Sequence, residues 1–99
     1  MTNVIELVEF KLNSGIDEAT ALKAAEKVSQ FAKDQSGFIS RSLTKNSDGI
    51  WIDIIKWQNM EDAKLAGSKF GEDSRNAEFG SMIDGKTVRM LHLDSKLTS

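Results

Sequence analysis

The 99-residue sequence has no cysteine, no proline and a single histidine. Without cysteine there can be no disulfide, no thiol catalysis and no cysteine-ligated metal. One histidine among scattered acids cannot build a conventional zinc site, and no metal cofactor is expected. Charge of one sign is also scarce: 13 Lys and Arg face 15 Asp and Glu, a net charge of −2, with no basic block. A phosphate-backbone partner would call for a basic stripe, so nucleic acid is not expected. No apolar run approaches the roughly 20 residues of a membrane span. The opening "MTNVIELVEF" has neither the basic start nor the long apolar stretch of a signal peptide, so the expected location is cytoplasmic. The stretches "DGIWID" and "AGSKFGEDS" lack the glycine spacing of phosphate-binding loops.

What is present reads as one globular domain over residues 1–99. With 39% apolar and 28% charged residues, the chain lies inside the range of folded proteins and away from disordered ones. No repeat or linker divides it. A domain this small buries roughly two-thirds of its unfolded surface, so further burial against a partner would help it.

Because proline is absent, glycines and capping residues must punctuate the elements. "VIELVEFKL" (4–12) is rich in β-formers and predicts a strand. From about Asp17 to Gln35, Ala21, Leu22, Ala25, Val28 and Ala32 recur at helical spacing, with Phe31 flanking them and Lys23, Glu26, Lys27, Gln30 and Lys33 opposite. Gly37 is a natural stop. "FISRSLTK" (38–45) and "IWIDIIKW" (50–57) are β-rich and joined by "NSDG", a hairpin signal. Asn59 caps a helix with Glu61 and Asp62 in its first turn. A second short helical piece starts at Asp73 or Ser74, with Phe79, Met82 and Ile83 on one face. "KTVRMLHLD" (86–94) closes the chain as a strand.

The order strand, helix, strand, strand, helix, strand predicts an α+β fold, the ferredoxin-like βαββαβ arrangement. Right-handed crossovers place both helical regions on one face of a four-stranded antiparallel sheet. If the hairpin turns at Ser47-Asp48, Ile39, Leu43, Ile50, Ile52 and Ile54 share one face. Phe38, Ser40, Ser42, Thr44, Trp51, Asp53, Ile55 and Trp57 then share the other. The helices cover one face, and the other still carries several large apolar groups. Two identical sheets packed face to face would cover them, so a homodimer through the sheet face is expected.

The strand "VIELVEFKL", the long helix, "GF" opening the second strand and "IIKWQNMEDA" running into a short helix resemble the dimeric α+β barrel superfamily. Within it they are most similar to the antibiotic-biosynthesis-monooxygenase-type (ABM-like) domains. The resemblance spans nearly the whole chain and is carried by Trp57, Gln58, Asn59, Glu61, Asp62 and Ala63. It implies a dimeric α+β barrel with a pocket between sheet and helices in each subunit. Members include cofactor-independent monooxygenases of polyketide or quinol-type aromatics and haem-degrading monooxygenases. The strand-end tryptophan of the haem-degrading members matches Trp57. Their first-strand asparagine falls near Glu9, and their haem-ligating histidine has no counterpart in "GSKFGEDSRNAEFG", which disfavours haem chemistry. The polyketide-type members also use tyrosine near the substrate, and this chain has none.

The candidate site follows from both lines. Asp53, a carboxylate between Ile52 and Ile54, should face a polar pocket or find a partner, since burying it alone costs several kcal/mol. It is either a general base or hydrogen-bonded to Ser42 or to water. His92, alternating with Val88 and Met90, is a second candidate catalytic group, or a satisfied core or interface histidine. Trp57, Trp51 and Phe38 are the candidate apolar wall, Trp57 serving equally as a core plug. Arg41 binds an anion or pairs with Glu6 or Glu9, and Glu9 stands at the family's asparagine position. The expected function is a cofactor-independent monooxygenase acting on a small apolar aromatic or quinol-like substrate, with no bound metal or flavin. The alternative is a non-catalytic ligand-binding or stress-associated dimer; haem binding is third.

Overall fold

The computed structural model describes residues 2–99. Strand β1 (Val4–Phe10) leads to helix α1 (Glu18–Lys33), then strands β2 (Phe38–Lys45) and β3 (Trp51–Trp57). Helix α2 (Met60–Phe70), a 3₁₀ turn (Ser74–Asn76), helix α3 (Ala77–Met82), a second 3₁₀ turn (Gly85–Thr87) and strand β4 (Arg89–Asp94) complete it. The strands lie in the order β2-β3-β1-β4, every neighbour antiparallel. This is the ferredoxin-like α+β fold. Among the described residues no helix is long and apolar enough to cross a membrane.

Capping residues set the helix starts. Asp17 accepts from the Thr20 amide at 2.8 Å and opens α1; Asn59 accepts from the Asp62 amide at 2.8 Å and opens α2. Each satisfies an amide that the first helical turn leaves without a partner. The second helical region opens at Asp73, whose carboxylate accepts from the Arg75 amide. The first strand ends at Phe10, two residues before the expected Leu12, which makes only an isolated bridge to Ile83.

The hairpin departs from the expected register. Asn46 and Ile50 close a three-residue loop, with Gly49 at φ 80°. Lys45 therefore faces Trp51 and Leu43 faces Asp53. A loop one residue longer than a two-residue turn flips every following side chain of the paired strand. Arg41 and Leu43 consequently join Trp51, Asp53 and Ile55 under the helices. Ser40, Ser42 and Thr44 move to the opposite face with Ile52 and Ile54. An irregularity between Phe38 and Ser40 then returns Phe38 to the helix side, opposite Trp57.

On β3 the faces are clean: Trp51, Asp53, Ile55 and Trp57 are buried, and Ile52, Ile54 and Lys56 are less so. The helix-free face carries Ile5, Leu7, Ile52, Ile54, Leu91 and Leu93, with Leu91 and Leu93 about 40% exposed. That is more apolar surface than a solvated sheet face normally shows.

Candidate functional site

The helix-side face of the sheet is apolar at both ends and charged in the middle. At one end Phe10 stacks on Trp51, with ring centroids 6.2 Å apart, and meets Phe79 edge-on at 5.7 Å. Ala21, Ala24, Ala25 and Val28 pack on this group. At the other end Val4, Ile55 and Trp57 pack against Ala63 and Ala66 of α2, and Phe38 meets Trp57 edge-on at 5.8 Å. Between sheet and helices lies a cavity of about 400 Å³, within the range of small-molecule sites. Its walls are mostly apolar: Val28, Phe31 and Ala32 of α1, Ala66 and Phe70 of α2, and Phe79 of α3. Its charged groups, Glu6, Arg41 and Asp53, come one each from β1, β2 and β3.

Arg41 and Asp53 form a buried ion pair, their side chains 6% and 10% exposed. Arg41 Nε donates to both carboxylate oxygens at 2.9 and 3.1 Å, and Nη2 donates to Oδ2 at 2.7 Å. Arg41 Nη1 donates to the Ala25 carbonyl at 2.7 Å and to Ser29 Oγ at 2.8 Å. A buried pair is tolerated when its geometry is this good and its remaining hydrogen-bonding groups are met. A guanidinium has five N–H groups, and these contacts occupy four, leaving one Nη2–H without a protein acceptor on a residue that lines the cavity.

Glu6 is the second buried carboxylate. Its Oε1 accepts from Trp57 Nε1 at 2.9 Å. Its Oε2 lies 3.5 Å from His92 Nε2, which has no closer partner. The register explains the cluster: Glu6 is paired with His92 on β4, while Trp57 is paired with Val4, two residues away on β1. Trp57 and His92 thus meet the same carboxylate from opposite sides of β1.

The roof is held from outside. Arg75 donates through Nε and Nη2 to Asp73 and through Nη1 to Asp34 just after α1, and its guanidinium lies 5.7 Å over the Phe31 ring. The Arg75 hydrogen bonds hold the Asp73 carboxyl well below its ordinary range, at about 2. The 3₁₀ turn before α3 is thereby tied to α1.

The structure brings together Asp53, Arg41 and Trp57 from the sequence-predicted set. Arg41 pairs with Asp53, in place of the expected Glu6 or Glu9, and Asp53 does not bond Ser42, because the longer loop turned Arg41 inward and Ser42 outward. His92 does not line the cavity but touches it through Glu6. Phe38 stands behind Trp57. Trp51 belongs to the packed end of the sheet and a shallow outer groove, with Lys45 Nζ 5.7 Å over its ring. Glu9 lies on the other sheet face, between Ile52 and Arg89 in the ladder. Glu6 was missed as a site residue. The available signal was an acid alternating with Val4, Val8 and Phe10 on a strand's apolar face. Among the described residues no group of three histidine, aspartate or glutamate side chains could hold a metal ion.

No protein-family model matches the chain, and no curated protein matches its sequence significantly. Solved structures do match. SnoaB from Streptomyces nogalater, a cofactor-independent oxygenase, superposes with a TM-score of 0.80 at 15% identity, covering 99% of this chain and 97% of that one. A candidate antibiotic biosynthesis monooxygenase from Bordetella bronchiseptica gives 0.79 at 12% identity, covering 98% and 100%. The ActVA-Orf6 monooxygenase of Streptomyces coelicolor, solved with nanaomycin D, gives 0.67 at 18% identity, covering 99% and 91%. Over nearly its full length, this chain has the ferredoxin-like α+β fold of the antibiotic-biosynthesis-monooxygenase-type proteins.

Proposed function

We propose that this chain is a monooxygenase of the antibiotic-biosynthesis type, working without bound metal or flavin on a small, flat phenol or quinol. The observation that carries the reading is the cavity itself. Its walls are mostly apolar, and its lining includes one carboxylate, Glu6, and one guanidinium, Arg41, which has an N–H without a protein acceptor. Apolar walls accept an aromatic ring, and the two polar groups meet its hydroxyl.

Glu6 takes the hydroxyl proton, with His92 behind it as the next acceptor toward solvent. Arg41 Nη2 donates to the phenolate oxygen as its charge develops. Asp53 positions Arg41, since both of its oxygens are already occupied. Trp57 forms the wall and orients Glu6 through its indole N–H. Molecular oxygen is the co-substrate. The phenolate's ring carbon gives up its electrons to oxygen, a C–O bond forms, and the resulting peroxide anion takes up a proton to become a hydroperoxide. Loss of water with that carbon's hydrogen leaves a carbonyl. The ring is oxidised by four electrons, one oxygen atom enters the product and the other leaves as water.

Glu6→Gln keeps an acceptor for Trp57 but cannot take a proton. Oxygen uptake with 1,4-dihydroxynaphthalene, above its spontaneous rate, should fall by roughly a hundredfold or more. An unchanged rate would remove Glu6 from the mechanism. The homodimer belongs to the same reading: the apolar open face of the sheet suits a second copy, and light scattering at micromolar concentration should read two chains. A single chain there would sink it. The second reading, a non-catalytic ligand-binding barrel, is favoured by the absence of tyrosine and by the full engagement of Asp53. Binding of aromatic phenols with no oxygen uptake would select it. Haem binding is disfavoured, because the chain's one histidine lies outside the cavity lining.

A further inference from the structure

The chain has seven glycines, and three of them, Gly15, Gly37 and Gly49, have positive φ that explains their presence. Of the other four, Gly71 ends α2. The remaining three have no conformational reason to be glycine. Gly67 lies inside α2, Gly80 inside α3 and Gly85 opens the 3₁₀ turn before β4. A Cβ at any of them would meet nothing within 4 Å, so close packing does not require their bareness either. Glycine within a helix is disfavoured relative to alanine, so two helices are weakened here without a packing return.

All three line the cavity. They are also exposed, and among the cavity-lining residues the only others in that class are Val88 and Met90. Every other lining residue is buried or half-buried. The exposed part of the wall is therefore the mouth, framed by bare backbone on α2, on α3 and before β4, with two apolar side chains on the β4 side.

We propose that the cavity is entered between α2, α3 and the start of β4, and that Gly67, Gly80 and Gly85 set the width of that entrance. The inference rests on the proposed binding of flat aromatic phenols in the cavity, but not on their oxidation. Bare backbone at three points gives an opening through which a ring can slide edge-first. Side chains there would narrow the way in without touching Glu6, Arg41 or Trp57.

The test uses the full chain, 2-naphthol as the probe and stopped-flow energy transfer from tryptophan to the bound naphthol. Gly67→Leu and Gly80→Leu place a good helix former where a side chain has free space, so the melting temperature should stay at or above wild type. Association and dissociation rates should both fall by roughly tenfold or more, since a neighbouring element must move before the ring can pass. Equilibrium affinity should change far less than either rate. Gly71→Leu, on the same helix but outside the cavity, should leave both rates as in wild type. Unchanged rates in both cavity variants would overturn the inference, as would weaker affinity with an unchanged association rate, which would make the glycines part of the binding surface. Failure of the wild-type chain to bind 2-naphthol would overturn the cavity reading and the inference together. Slowed rates in the absence of oxygen uptake would support the entrance and overturn only the oxygenase.

Discussion

Strand β3 carries a tryptophan at each end, on the same face and six residues apart, and the two sit in opposite environments. Trp51 packs in a group with Phe10 and the alanines of α1, and it does not line the cavity. Trp57 is as deeply buried, 3% exposed against 4%, yet it lines the cavity and donates its indole N–H to Glu6. Burial alone does not separate a packing residue from a site residue. What separates them is the neighbour: packed rings and alanines with a surface ammonium over Trp51, a buried carboxylate and empty volume beside Trp57. Between the two, the Asp53–Arg41 pair puts charge in the middle of the face, on the cavity lining.

The largest effect should come from the packed end. Trp51→Ala removes a buried indole from a close-packed group and should cost about 3–5 kcal/mol in chemical denaturation. Affinity for 2-naphthol should stay near wild type; a collapse of binding in a still-folded variant would erase the distinction between the two ends. Asp53→Asn tests the charged middle of the face. It leaves Arg41 buried with its charge uncompensated and should cost about 3 kcal/mol, while also lowering oxygen uptake because Arg41 is no longer held. A loss below about 1 kcal/mol would mean that the ion pair does not anchor the floor. Trp57→Phe should be the mildest for stability, about 1–3 kcal/mol, since the ring volume is largely kept and one hydrogen bond to a carboxylate is lost. Its effect on oxygen uptake should nevertheless exceed that of Trp51→Ala. Equal losses of uptake in the two tryptophan variants would show that Trp57 acts only through packing.

The element order and the helix starts at Asp17 and Asn59 were legible because they are local. Helical spacing, capping side chains and a glycine-bearing loop act over a few residues and leave their mark in a few letters. Trp57 was legible as either a cavity wall or a core plug, because a strand end running into a capped helix places its side chain under that helix. Asp53 was legible as a group needing a partner, for the same desolvation reason that governs it in the fold. Arg41 was assigned to the wrong partner by a single extra loop residue, Gly49, which no alternation pattern could register. Glu6 escaped because its two partners lie 51 and 86 positions along the chain, at Trp57 and His92. Gly67 and Gly80 carry no signal in the sequence of their placement on one cavity, which arises only in the fold.

The sequence by itself determined the class of chemistry that was open to this protein. With no cysteine it left no thiol chemistry in this chain, with one histidine and no basic stripe it gave no reason to expect a conventional zinc site or a nucleic-acid groove, and its hydrophobic spacing pointed to a ferredoxin-like α+β sheet under helices. Only the tertiary structure decided which side chains share a space. Strand register is settled jointly by loop length, by the irregularity at the start of β2 and by which face the helices bury. Together these turned Arg41 toward Asp53 and left Glu6 between Trp57 and His92. The cavity itself is a property of packing. Small alanines and bare glycines on three helices leave volume above the sheet, and no one segment of the chain encloses it.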